Sequence, residues 1–206
     1  MNPYEKYILP FLVDVSCGAK PVRYQRRKIV PEARGTVLEI GIGSGRNLPY
    51  YDADKVTRVI GIDPSAELWA KAAPVADAMP FEVIHCQTTT DDMPVDRHSV
   101  DTIVVTYTLC TIPDVIAALK ATRPVLKPGG LLLFCEHGVA PDANVEKWQH
   151  RVNPVWRKIS GGCEIDRPIP ALLEAGGYRI RHMETMYLPG TPKITGFNYW
   201  GTAEPA

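Results

Sequence analysis

Residues 37–47, VLEIGIGSGRN, lead from an apolar run into three glycines at alternate positions, Gly41, Gly43 and Gly45. A main chain without Cβ atoms at that spacing can turn sharply and let a ligand come close to its backbone. Two ligand classes fit poorly. A P-loop needs Lys followed by Ser or Thr after its last glycine, and Arg46-Asn47 offers neither. A nicotinamide site usually spaces its glycines G-x-G-x-x-G, whereas here the spacing is G-x-G-x-G with Arg46 next. Further along, other apolar runs each end in side chains able to do chemistry. Asp63 follows VIGI, Gln87 and Thr88 follow FEVIHC, Thr106, Tyr107 and Cys110 follow DTIVV, and Glu136 and His137 close LLLFC. These supply acceptors for hydroxyl groups, a thiol, and an imidazole that titrates near neutral pH. They can act together only if the fold brings the ends of those runs to one place.

From residue 22 onward, β-type runs and helical stretches alternate. Residues 22–30, VRYQRRKIV, predict a basic helix that Pro31 stops. Strands are expected at 36–41, 58–63, 81–86, 100–108 and 131–137. Asp63-Pro64-Ser65 opens a helix that Pro74 should kink or split, and a helix from Ile112 to Leu126 is closed by the KPGG turn at 127–130. Apolar strands with little polar alternation, separated by helices, require a parallel sheet covered on both faces. After a helix at IPALLEAGG, the runs 178–188 and 194–204 are joined by PGTPK, which is too short for a crossover, so the last strand should be antiparallel. The expected fold is α/β, a doubly wound, mostly parallel seven-stranded sheet over residues 31–206, preceded by an N-terminal helical lid segment at 1–30. Ligands in such sheets bind at the carboxyl ends of the strands beside the first one, where the glycines lie.

Four stretches in order, VLEIGIGSGRN with its Glu39, GIDPS at 61–65, SVDTIVVTYTLC at 99–110 and VLKPGGLLLFCEH at 125–137, resemble the successive motifs of class I S-adenosylmethionine-dependent methyltransferases. The resemblance covers roughly residues 35–140, and the C-terminal hairpin fits that fold's reversed last strand. Glu136-His137 followed by VNPVWRKISGGC at 152–163 is most similar to the group of thiol S-methyltransferases. Animal members of that group begin with a hydrophobic anchor that is not read here, so a membrane location is not expected to carry over. The resemblance implies a Rossmann-like methyltransferase fold, S-adenosylmethionine as cofactor and S-adenosylhomocysteine as product. It implies that Gly41 and Gly43 admit the methionine portion, that Gly45 opens the next helix, and that Glu39 reaches the ammonium. Asp63, with Pro64 beside it, should hold the ribose hydroxyls, Gln87 and Thr88 the adenine, and Thr106 should border the sulfonium.

Methyl transfer is an in-line displacement from an activated reagent, so the protein chiefly aligns the nucleophile and excludes water. A thiol with a pKa of about 8.5 already supplies some thiolate at neutral pH. S-methylation of a small thiol (hydrogen sulfide, methanethiol or an alkyl thiol) is therefore the expected activity, with N- or C-methylation of a lipid amine or quinone-type acceptor as the alternative. His137, Tyr107 and Cys110 are the catalytic candidates, His137 as base or orienting group. Trp148, Trp156, Tyr7, Phe11 and Tyr24 are expected to cap the pocket, while RYQRRK at 23–28 and Asp166-Arg167 are expected to be solvated. Tyr4, Tyr7, Ile8, Phe11 and Leu12 fall on one side of the N-terminal segment, which is expected to pack as a lid.

The 23 basic and 23 acidic residues cancel, so no global field recruits nucleic acid. Five scattered cysteines without a CxxC pair fit neither a disulfide framework nor a zinc site, so no metal is expected and a reducing, cytoplasmic location is the simplest reading. Expected partners are a small-molecule acceptor, no nucleic acid and no integral membrane segment; peripheral membrane contact and oligomeric state stay open.

Overall fold

Runs rich in Val, Ile and Leu become inner strands because both of their faces can be covered. In the computed structural model, which describes residues 8–206, the strands are β1 (Gly35–Ile40), β2 (Val56–Ile62), β3 (Glu82–Cys86), β4 (Val100–Thr106), β5 (Leu126–His137), β6 (Tyr178–Tyr187) and β7 (Phe197–Pro205). They form a seven-stranded sheet in the order β3-β2-β1-β4-β5-β7-β6. The first five are parallel to one another, and β7 runs antiparallel to both β5 and β6. The strand order reverses between β1 and β4, which opens a crevice at their carboxyl ends.

Side chains alternate across the sheet and feed two cores. Leu38, Ile40, Ile103, Leu132 and Phe134 pack with Leu119 and Leu173 on one face. Val37, Val59, Val104, Leu133 and Trp200 pack with Ile29 and Ala76 on the other. The helices are α1 (Leu9–Cys17), α2 (Lys20–Ile29), α3 (Ala66–Asp77), α4 (Val115–Thr122), α5 (Ala143–Ile159), α6 (Ile169–Ala175) and the short α7 (Lys193–Gly196). No helix among the described residues is long and apolar enough to cross a membrane.

Several boundaries differ from the sequence expectation. The helix through Pro74 is a single element, because Pro74 is exposed while Ala72 and Ala76 carry the buried face. The freed carbonyl one turn back can then meet water. α4 ends at Thr122 rather than running to Leu126, since Pro124 has no N–H to continue it and a 3₁₀ turn takes over at Arg123–Val125. The KPGG stretch lies inside β5, with a register shift against β4 between Val100 and Thr102. Gly45 opens no α-helix; only a 3₁₀ turn at Leu48–Tyr50 follows it, where Pro49 and the packing of Leu48 take over. The 17-residue α5 went unread in the sequence. It is anchored by Gln149, whose amide donates to the carbonyls of Gly138, Ile165 and Ile194 and accepts from the Ala140 N–H.

Candidate active site

The three glycines are bare for three different reasons. Gly41 has φ +73°, and a Cβ there would lie 2.4 Å from Thr108 Oγ1, so its bareness admits a neighbouring side chain. A Cβ on Gly45 would meet Leu48 and Ala72 at 3.0 and 3.1 Å, a close packing against α3. Only Gly43 faces space: a Cβ would find nothing nearer than 3.8 Å. Gly41 and Gly43 line a cavity of about 730 Å³, which Gly45 does not. That volume lies within the range, about 300–1,000 Å³, that holds small ligands.

Asp63 stands at the end of β2 against this cavity, 9% exposed. Its Oδ2 accepts the Gly43 N–H at 3.0 Å and its Oδ1 accepts the Ser65 N–H at 2.8 Å. The cap of α3 is Ser65, whose hydroxyl accepts from the Leu68 N–H, so Asp63 is free of that duty. A carboxylate has about four acceptor sites, and two remain for hydroxyls in the cavity. Burial pushes its carboxyl pKa up, against the pull of those two amide bonds.

Glu39, from the end of β1, also lines the cavity while its side chain is buried. Asn47 Nδ2 donates to Oε1 at 3.0 Å and the Tyr51 hydroxyl to Oε2 at 2.7 Å. Burial lifts its pKa to about 7, overriding Tyr51, Arg26 and Asn47, which pull it down. Its folded pKa exceeds the unfolded 4.5, so the folded chain holds the extra proton between those values. Stability without ligand should therefore fall as pH rises from 4.5 to about 7. Glu39→Gln should make that fall shallower, by on the order of 1 kcal/mol per pH unit in chemical denaturation series; parallel curves for the two proteins would remove Glu39 as the titrating group.

Of the two residues expected at the adenine, one lies at the cavity. Thr88 lines the cavity, as do Pro64 and Asp91, but Gln87 does not; its side chain is exposed and reaches the Pro64 carbonyl at 3.5 Å. Asp91 was missed because a 3₁₀ turn at Thr90–Asp92 swings it back toward the crevice. Acidic residues just past a strand end were the available signal.

Thr106, buried at the tip of β4, lies at the centre of a polar knot. Arg26 Nη1 donates to Thr106 Oγ1 at 2.5 Å and to Asn47 Oδ1 at 2.6 Å, and Asn47 Nδ2 reaches Thr106 Oγ1 at 3.0 Å. Arg26 is 4% exposed. The basic stretch at 23–28 is thus not a fully solvated face: Gln25, Arg26 and Ile29 of α2 are buried. α2 belongs to the body of the domain, while α1 lies over the cavity, into which Leu9, Asp14 and Cys17 point. Asp14 ties it down, accepting from Ser44 Oγ at 2.5 Å and Arg46 Nη2 at 2.7 Å, with Lys71 Nζ at 3.4 Å.

The expected aromatic cap is different. Phe11, Tyr24 and Trp148 are more than half exposed, and Trp156 is absent from the cavity wall. Tyr4 and Tyr7 lie outside the described residues. Leu9 does the covering instead, seated where a Cβ on Gly161 would lie 2.6 Å from it.

Beyond Thr106, Tyr107 takes a left-handed backbone, φ +54°, which is strained for an aromatic residue. Glu136 holds that turn, its Oε1 accepting the N–H groups of Thr108 and Leu109 at 2.7 and 3.0 Å. The Tyr107 ring lines the cavity, but its hydroxyl donates to Asn198 Oδ1 at 2.6 Å. Burial puts its pKa well above 10. Cys110 and His137 do not line the cavity; they sit behind its wall beside Cys163. Arg167, read as solvated, is buried and donates to the carbonyls of Leu109 and Ile112, fixing the loop that carries Cys110.

The site thus offers an open main chain at Gly43, a carboxylate with two free acceptor positions at Asp63 and a buried acid at Glu39, and we propose that S-adenosylmethionine is held there. Gly43→Ala tests this directly. Added strain at φ +50° should cost the apoprotein only about 1–2 kcal/mol, while cofactor affinity measured by calorimetry should drop more than tenfold; unchanged affinity would mean that nothing approaches this backbone.

Comparison with known proteins bears on the family and the fold. Residues 20–182 match the family described as Methyltransferase domain. The chain is 26% identical to human thiol S-methyltransferase TMT1B over 95% of its own length and 87% of that protein. It is 30% identical to a phosphatidylethanolamine N-methyltransferase of Cereibacter sphaeroides over 55% of its own length and 57% of that protein. The structure of a geranyl diphosphate methyltransferase in complex with SAM superposes with a TM-score of 0.71 at 13% identity, covering 89% of this chain and 85% of that one. With the strand order, the glycine loop and the matched span all on one chain, the protein belongs to the class I S-adenosylmethionine-dependent methyltransferases.

Proposed function

We propose that the chain methylates the sulfur of a small thiol. The bound donor supplies a methyl group already activated by its sulfonium charge. One observation carries the reading. Between the tip of β4 and the lid, the cavity is lined by Tyr107, Thr108, Thr111, Ile112, Leu9 and Cys17, which present hydroxyls, a thiol and apolar carbons, while the two carboxylates there are engaged, Asp14 by Ser44 and Arg46 and Asp114 by the Ala117 N–H. The phenol is committed to Asn198. Such a wall orients and desolvates an acceptor without taking a proton from it, which suits a thiol with a pKa of about 8.5 far better than an ammonium with one of about 10.4. The similarity to the thiol S-methyltransferases over almost the whole chain supports it.

A second reading, methylation of a lipid amine, is favoured by the exposed Ile8, Phe11 and Leu12 on the outer side of the lid. The two separate in one assay. Purified protein with S-adenosylmethionine should give methylated sulfides in the headspace from small thiols and no methylated product from phosphatidylethanolamine vesicles. No sulfide from any thiol, with S-adenosylhomocysteine released on the vesicles, would overturn the thiol reading and leave the second.

A further inference from the structure

The tips of β4 and β5 lie side by side, and the loop after α5 folds back over them. The three segments carry Cys110, His137 and Cys163, and one donor atom of each lies within 4.8 Å of the other two. Cys163 Sγ is 3.3 Å from His137 Nε2. Cys110 is buried and the other two are half-buried. His137 Nδ1 is buried and has no hydrogen-bond partner among the described residues, so no protein acceptor fixes which ring nitrogen keeps the proton. The ring is held in place by stacking on Tyr107, at a centroid distance of 6.4 Å.

We propose that Cys110, His137 and Cys163 bind one zinc-class divalent cation. Donors on a shared tetrahedral Zn²⁺, with Zn–S near 2.3 Å and Zn–N near 2.05 Å, stand about 3.5–3.8 Å apart. The three atoms here need to move by no more than roughly 1 Å to meet that geometry. Binding releases both thiol protons to solvent, and two thiolates neutralise the ion, so the buried site carries no net charge. Three protein ligands leave a fourth position open, the pattern of zinc sites that take an exchangeable ligand. The neighbours of the two cysteines put the cluster itself beside the methyl-transfer cavity. Thr111, whose Oγ1 is 3.5 Å from Cys110 Sγ, lines it, and so does Ser160, whose hydroxyl donates to the Cys163 carbonyl at 3.2 Å. The inference concerns this cluster's coordination chemistry and does not depend on which acceptor is methylated.

Cobalt is the probe, since thiolate-to-cobalt charge transfer gives an absorption that a merely hydrogen-bonded cluster lacks. Fully reduced, chelator-treated whole protein is titrated anaerobically with Co²⁺ and then with Zn²⁺. The expected result is a near-ultraviolet band that saturates at one ion per chain, with proton release in weak buffer, and that Zn²⁺ abolishes. Cys163→Ser, checked for folding by circular dichroism, should lose the band, and His137→Ala should weaken binding by ~tenfold or more. A wild-type protein with all thiols free that shows no band, or a Cys163→Ser protein with an undiminished one, overturns the site.

Discussion

Asp63→Ala should raise the dissociation constant for S-adenosylmethionine by about 100-fold or more, the largest effect expected from a single change in the cavity. Hydrogen bonds to a charged group are worth about 1.5–3 kcal/mol each, and the two acceptor positions left on Asp63 would both be lost. The residue also braces the loop that presents Gly43, since Oδ2 accepts that N–H. Asp63→Asn separates the contributions. It keeps one acceptor oxygen for the loop but loses the second, so it should fall between wild type and alanine. Calorimetric titration reads both. An alanine variant that is folded and binds with undiminished affinity would remove Asp63 from the cofactor site.

Arg26→Ala should destabilise the folded chain by about 3 kcal/mol or more, as breaking a buried polar or charged partnership commonly does. Thr106 and Asn47 would each lose a donor in a place water reaches poorly. The guanidinium also lies 5.2 Å over the Tyr107 ring. Its charge counteracts the upward pull of burial on Glu39 and Glu136, both of which sit at about 7. Its loss should move Glu39 further up and weaken the cofactor site as well as the fold. Urea unfolding at pH 7 measures the first effect. A change below about 1 kcal/mol would show that the knot is incidental to stability.

Residues of the inner sheet were legible before any coordinates because their environment is uniform. A strand buried on both faces has to be apolar throughout, so VLEIG, RVIGI and TIVVT declare themselves locally. Strand ends inherit the same legibility: Asp63 and Thr106 are found by counting to the end of an apolar run. Helix and loop details were less readable where a single long-range contact decides them. α5 is tied down by one glutamine reaching three carbonyls in distant segments. Arg26 and Arg167 look solvated in a basic or charged stretch, yet each is turned inward by partners 21 to 80 residues away in sequence. No local pattern announces such a contact.

The amino-acid order by itself determined a doubly wound sheet with a glycine loop at its first strand and a carboxylate at its second, because periodicity and turn chemistry act over a few residues. It also put Thr106 and His137 at strand ends. Only the tertiary structure decided which of those glycines faces open space, which helix covers the cavity and which side chains meet behind its wall. Gly41, Gly43 and Gly45 are identical in sequence terms and differ only in what lies opposite them. Cys110, His137 and Cys163 are 26 or more residues apart from one another. They become neighbours because β4 and β5 pair in register and the chain after α5 returns over them, a juxtaposition that strand pairing dictates and that residue spacing does not record.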